Sequence, residues 1–337
     1  MNKSTILLGH GSGGKLSHEL IASVFLKHFN NEPLMRSTDS ALLHIDCNDI
    51  VFTTDGYVVD PVFFPGGNIG KLAVCGTVND IAVTGAQPLY LSASFIIEEG
   101  FAFDRLEEIV VSMAAEAKKA GVLIVTGDTK VVNKGKCDKI FITTSGVGVL
   151  DKKFKHIAGA GECRPGDKII VNGSLGNHGM AVMSSREQLH YHTPVESDCG
   201  SLYSLIRAVT EEVPVSFMRD ATRGGLATVL VELCGMTKLG ISLDEEHIPI
   251  DDSVRGICEV FGFDPLYVAN EGKVVMVVPA AYSTKAVQIM QSMAEGKDAA
   301  VIGEITGTEK PRVILNTVVG GKRIMDMLAG EQLPRIC

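Results

Sequence analysis

The chain has 337 residues, 45% of them hydrophobic and 21% charged, with no tryptophan and a formal net charge of −9. That balance supports a sizeable core and a length of about two domains. It argues against nucleic acid and anionic membrane as partners, because phosphate-backbone binding needs surplus Lys and Arg; a small phosphate ligand held by local amides, a few cations and a metal remains open. No stretch approaches the ~20 apolar residues of a membrane span, and the N-terminal run Ile6–Leu8 is too short for a signal segment. Eight cysteines, at 47, 75, 137, 163, 199, 234, 258 and 337, form no C-x-x-C pair. They read as free thiols in a reducing compartment, so the expected location is cytoplasmic.

Residues 14–29 carry Leu16, Leu20, Val24, Phe25 and Phe29 at helical spacing. "ALLHID" and "DIVFTTDG" read as strands, the second ending on Asp55. "NIGKLAVCGTVNDIAVTGA" is a helix closing on Gly85. The strand "PLYLSASFII" leads to the helix "FDRLEEIVVSMAAEAKKAG", with Asp104 near its start and Gly121 past its end. "VLIVTGD" and "KIFITTSGVGVL" are strands. A charged stretch punctuated by Gly and Pro, "DKKFKHIAGAGECRPGDK", places a domain boundary near 150–166. Beyond it, helices near 177–189, 202–212, 224–236, 251–261 and 283–294 alternate with strands "DKIIVNG", "ISLDE", "DPLYVANEG", "VVMVVP", "AAVIGEIT" and "RVILNT".

"GHGSGGKL", Gly9 to Leu16, nearly fits two phosphate fingerprints: Gly9, Gly11 and Gly14 match G-x-G-x-x-G after a short strand, but Asp39 is a poor fit to the acid that fingerprint wants about 20 residues on. Gly9, Gly14 and Lys15 match G-x-x-x-x-G-K, but Leu16 stands where a P-loop needs Ser or Thr for Mg²⁺. A flexible turn into the first helix and a loop that closes over a ligand both remain open. Asp39, Asp55, Asp80, Asp128 and Asp220 each sit where an apolar segment meets polar or glycine residues. Any one alone reads as turn or cap chemistry. Together they supply the hard oxygens with which Mg²⁺ couples carboxylates to substrate phosphates. Asn79 is an amide handle beside Asp80. Asn177 and His178 open a helix whose free N–H groups attract anions, His178 being expected at the surface. Lys134 and Glu271 fall in loops, where a solvated Lys and a turn acid are the ordinary readings.

Taken together, "GHGSGGK", "FTTDGYVVDPVFFPGGNIGKLAVCGTVNDIAVTGAQPLYLSASF", "TGDTKVV", "GSLGNHGMAV", "RDATRGGLA", "VANEGKVV" and the terminal "PRIC" resemble the HypE family of carbamoyl dehydratases of hydrogenase maturation. That family lies within the aminoimidazole ribonucleotide synthetase (PurM-like) ATP-binding superfamily. The resemblance implies an α+β, PurM-like two-domain fold. Residues 1–155 would be the ATP-binding domain, its strands forming a β-barrel across a homodimer. Residues 156–330 would be an α/β sandwich domain, and 331–337 a flexible tail carrying a reactive cysteine.

It further implies ATP and Mg²⁺. Asp39, Asp55, Asp80, Asp128 and Asp220 would be the metal ligands, and Asp55, Asp80, Asn79, Asp128, Lys15, Gly13, Gly14 and Asn177 the ATP-binding residues. Cys337, Lys134 and Glu271 would carry the chemistry. The implied carbamoyl donor is the carbamoyltransferase HypF and the implied cyanide acceptor the HypC–HypD complex. The family reaction dehydrates an S-carbamoyl group on the terminal cysteine to S-cyanide, with ATP making the carbamoyl oxygen a leaving group. Small-molecule kinases and synthetases of the same superfamily are the alternative. The selenophosphate synthetases, however, place Cys or selenocysteine where this chain has Gly14, and the thiamine monophosphate kinases have no reason to end on cysteine.

Overall fold

The computed structural model describes residues 5–36, 40–45, 49–186, 194–307, 311–328, 333 and 335–337. Asp39 therefore lies outside the described residues. A 3₁₀ turn over Leu8–Gly11 leads into α1 (Lys15–Leu20), a π-helical turn (Ile21–Leu26), α2 (Lys27–Phe29) and α3 (Glu32–Met35). β1 (Ile50–Tyr57) and the short hairpin β2 (Phe63–Phe64) and β3 (Gly67–Asn68) precede α4 (Ile69–Ala82). Next come β4 (Ala86–Glu98), α5 (Phe103–Ala120), β5 (Leu123–Val132) and β6 (Ile140–Leu150). The second half runs β7 (Lys168–Val171), α6 (Asn177–Ser184), α7 (Tyr203–Glu212), β8 (Phe217–Asp220), α8 (Gly225–Thr237), β9 (Gly240–Asp244), α9 (Asp252–Phe261), β10 (Val274–Val278), α10 (Ser283–Gln291), β11 (Ala300–Thr306), β12 (Val313–Asn316) and β13 (Lys322–Met325).

The first sheet has the order β1-β6-β4-β5. It is antiparallel except between β4 and β5, which α5 connects. Asn68 caps α4, accepting the amides of Gly70 and Lys71. α4 is buried almost all round because it lies between this sheet and the second domain. The sheet is open in the single chain, with no further strand on β1 or β5 among the described residues. Ile50 and Phe52 on its outer face are 60% and 66% exposed.

The second sheet has the order β13-β12-β9-β11-β7-β10-β8. Alternate residues of its strands face opposite layers. Ile169, Val171, Val275 and Val277 pack with α8, whereas Ile170, Val274, Met276 and Val278 pack with α7 and α10. This is the expected helix–sheet sandwich, but it is antiparallel except for β9 with β12.

Two expected strands are absent. "ALLHID" has no regular element over 41–45, its last residue lying outside the described residues. "DPLYVANEG" is a 3₁₀ turn, Pro265–Tyr267, followed by irregular chain. Asp264 caps that turn through the Leu266 amide at 3.0 Å. The Asn270 side chain then bonds the Ala221 and Val268 carbonyls and the Gly176 amide. β8 and β13 carried no periodic signal long enough to be read.

Candidate functional site

β1 alternates exposed and half-buried residues, so Thr53, Asp55 and Tyr57 face α4. Asp55 Oδ2 accepts the Thr77 hydroxyl at 3.1 Å and the Tyr57 hydroxyl at 3.3 Å. A Cβ at Gly76 would collide with the Tyr57 hydroxyl, so α4 needs glycine there. Asp80 lies in the last turn of α4, where the helix dipole disfavours an anion. It accepts the Thr53 hydroxyl at 2.8 Å. Burial, then Asp220 and Asp55, push its carboxyl up to about 7. Asp220, at the end of β8, is raised to about 6, by burial first and with Asp55 adding to it.

Three carboxylates from two domains thus crowd one another, a repulsion that a bound proton or a cation relieves. The donor set is all oxygen, as Mg²⁺ prefers. Among the described residues no three acidic, His or Cys side chains already close a metal cage.

The other nucleotide candidates lie elsewhere. Asp55 is in register with Thr144, Thr144 with Ala93, and Ala93 with Gly127. Asp128 is therefore about 14 Å away, three strand spacings across the sheet. It pairs with Lys130 at 3.0 Å, and that lysine holds its carboxyl below the ordinary value. The glycine loop packs on this β5 side: Gly11 approaches Val131 so closely that a Cβ would not fit. Gly13 has φ +79° and donates to Ser17 Oγ at 2.9 Å. Gly14 precedes Lys15, whose exposed amine reaches Glu19 at 3.9 Å. A cavity of about 200 Å³ separates this loop from Asp128 and Lys130. Within one chain, then, the expected aspartate cluster divides: Asp55, Asp80 and Asp220 converge, and Asp128 does not join them.

Asn79 has its whole amide engaged with the second domain. It donates to Gly200 O and Glu271 O and accepts from Leu202 N, at 3.1, 3.0 and 2.8 Å. Asn177 donates to Asp251 at 2.7 Å while its own oxygen has no partner.

The last residues of the chain are docked. Val58 N donates to Cys337 O at 3.1 Å and Asp60 N to Arg335 O at 3.2 Å. Residues 335–337 thereby run antiparallel to the segment that continues β1. Arg335 adopts φ 55°, a left-handed kink that costs about 1–3 kcal/mol. Its guanidinium bonds Val58 O at 3.1 Å and pairs with Asp138. The kink drops Ile336 into the N-terminal domain's core at 3% exposure. Burying that side chain contributes about 1.5–3 kcal/mol, and the backbone bonds about 1 kcal/mol each, so the docked arrangement outweighs the kink. Cys337 ends in a cleft of about 450 Å³ between the domains, whose lining includes Gly56, Arg223 and Tyr267.

His178 holds the tail from the second domain. The sequence placed it at the surface; it is 0% exposed, because the start of α6 faces the tail and not solvent. Its Nε2 lies 2.9 Å from Ile336 O and its Nδ1 2.8 Å from Ser197 Oγ. A carbonyl can only accept, so Nε2 carries the proton and the Ser197 hydroxyl donates to Nδ1. Burial lowers the imidazole's basicity, leaving it neutral.

Glu271 is 4% exposed, with Oε1 at 3.9 Å from His178 Nε2. Burial first, then Cys199, Asp198, Asp220 and Asp55, raise its carboxyl well above the ordinary value. Asp198 accepts the Glu271 and Gly272 amides at 3.1 and 3.2 Å and pairs with Lys273 at 3.0 Å. Burial would raise Asp198, but Lys273, His178 and the Glu271 amide outweigh it and hold it low. Gly272 is required because a Cβ would strike the Asp198 carbonyl. Lys134 is exposed on the β5–β6 loop, the loop that presents Asp138 to Arg335. Sequence reasoning singled out none of Asp198, Lys273, Arg223 and Thr53, although Thr53, Arg223 and Lys273 lie within the stretches "FTTDG", "RDATRGG" and "VANEGKVV".

Residues 37–150 match the AIR synthase related protein N-terminal domain, and 164–316 its C-terminal domain. Carbamoyl dehydratase HypE of Bradyrhizobium diazoefficiens is 49% identical over 98% of this chain and 95% of its own. The chain belongs to the HypE family of carbamoyl dehydratases. A crystal structure of hydrogenase maturation protein HypE in complex with ATP superposes with a TM-score of 0.94 at 44% identity, covering 99% of this chain and 100% of that one. A HypE–HypF complex contains a chain 48% identical with a TM-score of 0.78, covering 94% of this chain and 100% of that one. Family membership makes this chain an enzyme of hydrogenase maturation with a PurM-like fold, as the resemblance implied. No helix among the described residues is long and apolar enough to cross a membrane.

Proposed function

We propose that this enzyme dehydrates an S-carbamoyl group on its own Cys337 to S-cyanide, using ATP, and so supplies the cyanide ligands of a [NiFe]-hydrogenase iron. The observation that carries this reading is where the terminal residue docks. Cys337 is bonded to Val58, three residues along the strand from Asp55, or about 10 Å. That span suits a triphosphate held at the carboxylates and reacting at the thiol end.

Asp55, Asp80 and Asp220, with Asp39, would hold Mg²⁺, which neutralises phosphate charge when bound. The carbamoyl oxygen attacks the γ-phosphorus, the bond to ADP breaks, and one N–H proton leaves. Glu271 takes the remaining N–H proton as the C–O bond breaks, giving S–C≡N and phosphate; burial, which raises its carboxyl well above the ordinary value, makes it a stronger base than a solvated glutamate. Arg223, which lines the tail's cleft, and Lys134, on the β5–β6 loop, would stabilise the departing phosphate.

The carbamoyl donor would be a HypF-type carbamoyltransferase and the acceptor a HypC–HypD complex, reached by undocking the tail. Seven extended residues reach at most about 25 Å. A second copy would close the open sheet into a barrel, covering Ile50 and Phe52. With β1 of one copy beside β5 of the other, Asp128 and the glycine loop, with Gly13, Gly14 and Lys15, would meet the partner's carboxylates, so each nucleotide site would draw on both chains. The reading is tested with Cys337→Ala: ATP turnover that depends on a carbamoylating partner must vanish, and turnover that persists unchanged would sink it.

A further inference from the structure

His178 has one N–H to give and two acceptors within reach. Nε2 is 2.9 Å from the Ile336 carbonyl and 3.9 Å from Glu271 Oε1. The ring itself is fixed. Ser197 holds Nδ1 at 2.8 Å, the Cys199 amide holds Ser197 Oγ at 3.0 Å, and Phe64 stands edge-on at 5.5 Å between centroids. The charged groups facing it are Asp198 and Glu271, and Asp198 is already occupied by Lys273 and two amides. Among the described charged groups facing the ring, Glu271 is thus the acceptor left if the tail withdraws. Its carboxyl needs to move only about 1 Å to reach ordinary hydrogen-bond length.

We propose that His178 is a positioning residue that passes its Nε2–H from the Ile336 carbonyl to the Glu271 carboxylate when the tail undocks, and takes it back when the tail returns. The inference rests on the reading of Glu271 as the base. Two consequences follow. The tail can leave without stranding a buried donor, which would oppose its exit. Glu271 is relieved of a donor only while the thiol is seated, so its lone pair is free when substrate is present and occupied when it is absent. Because His178 grips a backbone carbonyl, the latch does not depend on what Cys337 carries.

The test uses the full chain and needs no carbamoyl chemistry. Cys337 alkylation by iodoacetamide reads undocking. His178→Phe keeps a ring against Phe64 but has no N–H, and should raise the alkylation rate about tenfold, the effect of losing one buried hydrogen bond. His178→Gln, with an amide donor, should recover most of that change, whereas a packing role predicts that Phe is the milder variant. Unchanged alkylation in a folded His178→Phe protein refutes the latch. In parallel, ¹⁵N-histidine NMR follows Nε2–H in Ile336→Glu, whose charge expels the tail. The resonance should persist in slow exchange there and be lost in Ile336→Glu with Glu271→Ala. Loss already in Ile336→Glu alone overturns the exchange of acceptors. Failure of cyanide formation in the unaltered enzyme would sink the proposed function and leave these readouts untouched.

Discussion

Val58 and Cys337 are joined by a backbone hydrogen bond of 3.1 Å, although 279 positions separate them in the chain. That bond makes the C-terminus an extension of the strand that carries Asp55. Ile336, in the core, is the larger anchor, and the Arg335–Asp138 pair is partly exposed. Asp138→Ala should therefore cost the docked tail at most about 1 kcal/mol. Ile336→Asp should undock it outright while lowering the melting temperature little. Alkylation kinetics of Cys337 order the two variants; equal effects would contradict this account of the anchor.

Asp80 and Asp220 make the metal-free enzyme less stable at alkaline pH. Their folded carboxyls are raised, to about 7 and about 6, so the native state binds these protons more tightly than the unfolded chain. The resulting stabilisation is complete below about pH 4 and is lost as pH climbs through 6 to 7. For Asp80 it amounts to at most about 4 kcal/mol. Melting curves between pH 5 and pH 8 should show the fall, and Asp80→Asn should flatten it. Mg²⁺ should restore stability at the high end.

Glu271→Gln keeps shape and removes the base. It should accept a carbamoyl group and bind ATP normally, with dehydration slowed by about 10²–10⁴. Single-turnover measurement on pre-carbamoylated enzyme reads this step alone. A slowing below tenfold would move the base elsewhere.

Asn79→Ala removes an amide that makes two donations and one acceptance across the domain boundary. Stability should fall by about 2–4 kcal/mol. A change confined to ATP affinity, with the melting temperature unmoved, would return Asn79 to the nucleotide.

If each nucleotide site uses two chains, inactive Asp55→Asn and Asp128→Asn proteins should complement one another. A random mixture gives one intact site in about a quarter of all sites. Remixed subunits assayed for ATP turnover decide this, and complete absence of recovery in a mixed dimer argues for sites within single chains.

Helices α4 and α5 were legible because apolar spacing, an Asn or Asp start and a glycine stop agreed along a few turns. Asp55, Asp80 and Asp220 were legible as acids among turn residues. What escaped depended on distant chain. His178 looked like a surface residue because nothing near it in sequence predicts a bond to Ile336, 158 residues away. Asp198 was passed over because its partners, the Glu271 and Gly272 amides, belong to a loop distant in the chain. "DPLYVANEG" has strand composition, but Asp264 and Asn270 give its backbone side-chain partners in place of a ladder. Asp128 shares the motif character of the other aspartates, and only the strand order separates it from them.

The most direct test is the mass of the C-terminal peptide. The enzyme is incubated with a HypF-type carbamoyltransferase and carbamoyl phosphate, and then with Mg-ATP. The peptide ending in Cys337 should gain one carbamoyl group in the first step and lose the mass of one water in the second. A carbamoyl group that stays intact with ATP present, or one found on any other residue, would contradict the account.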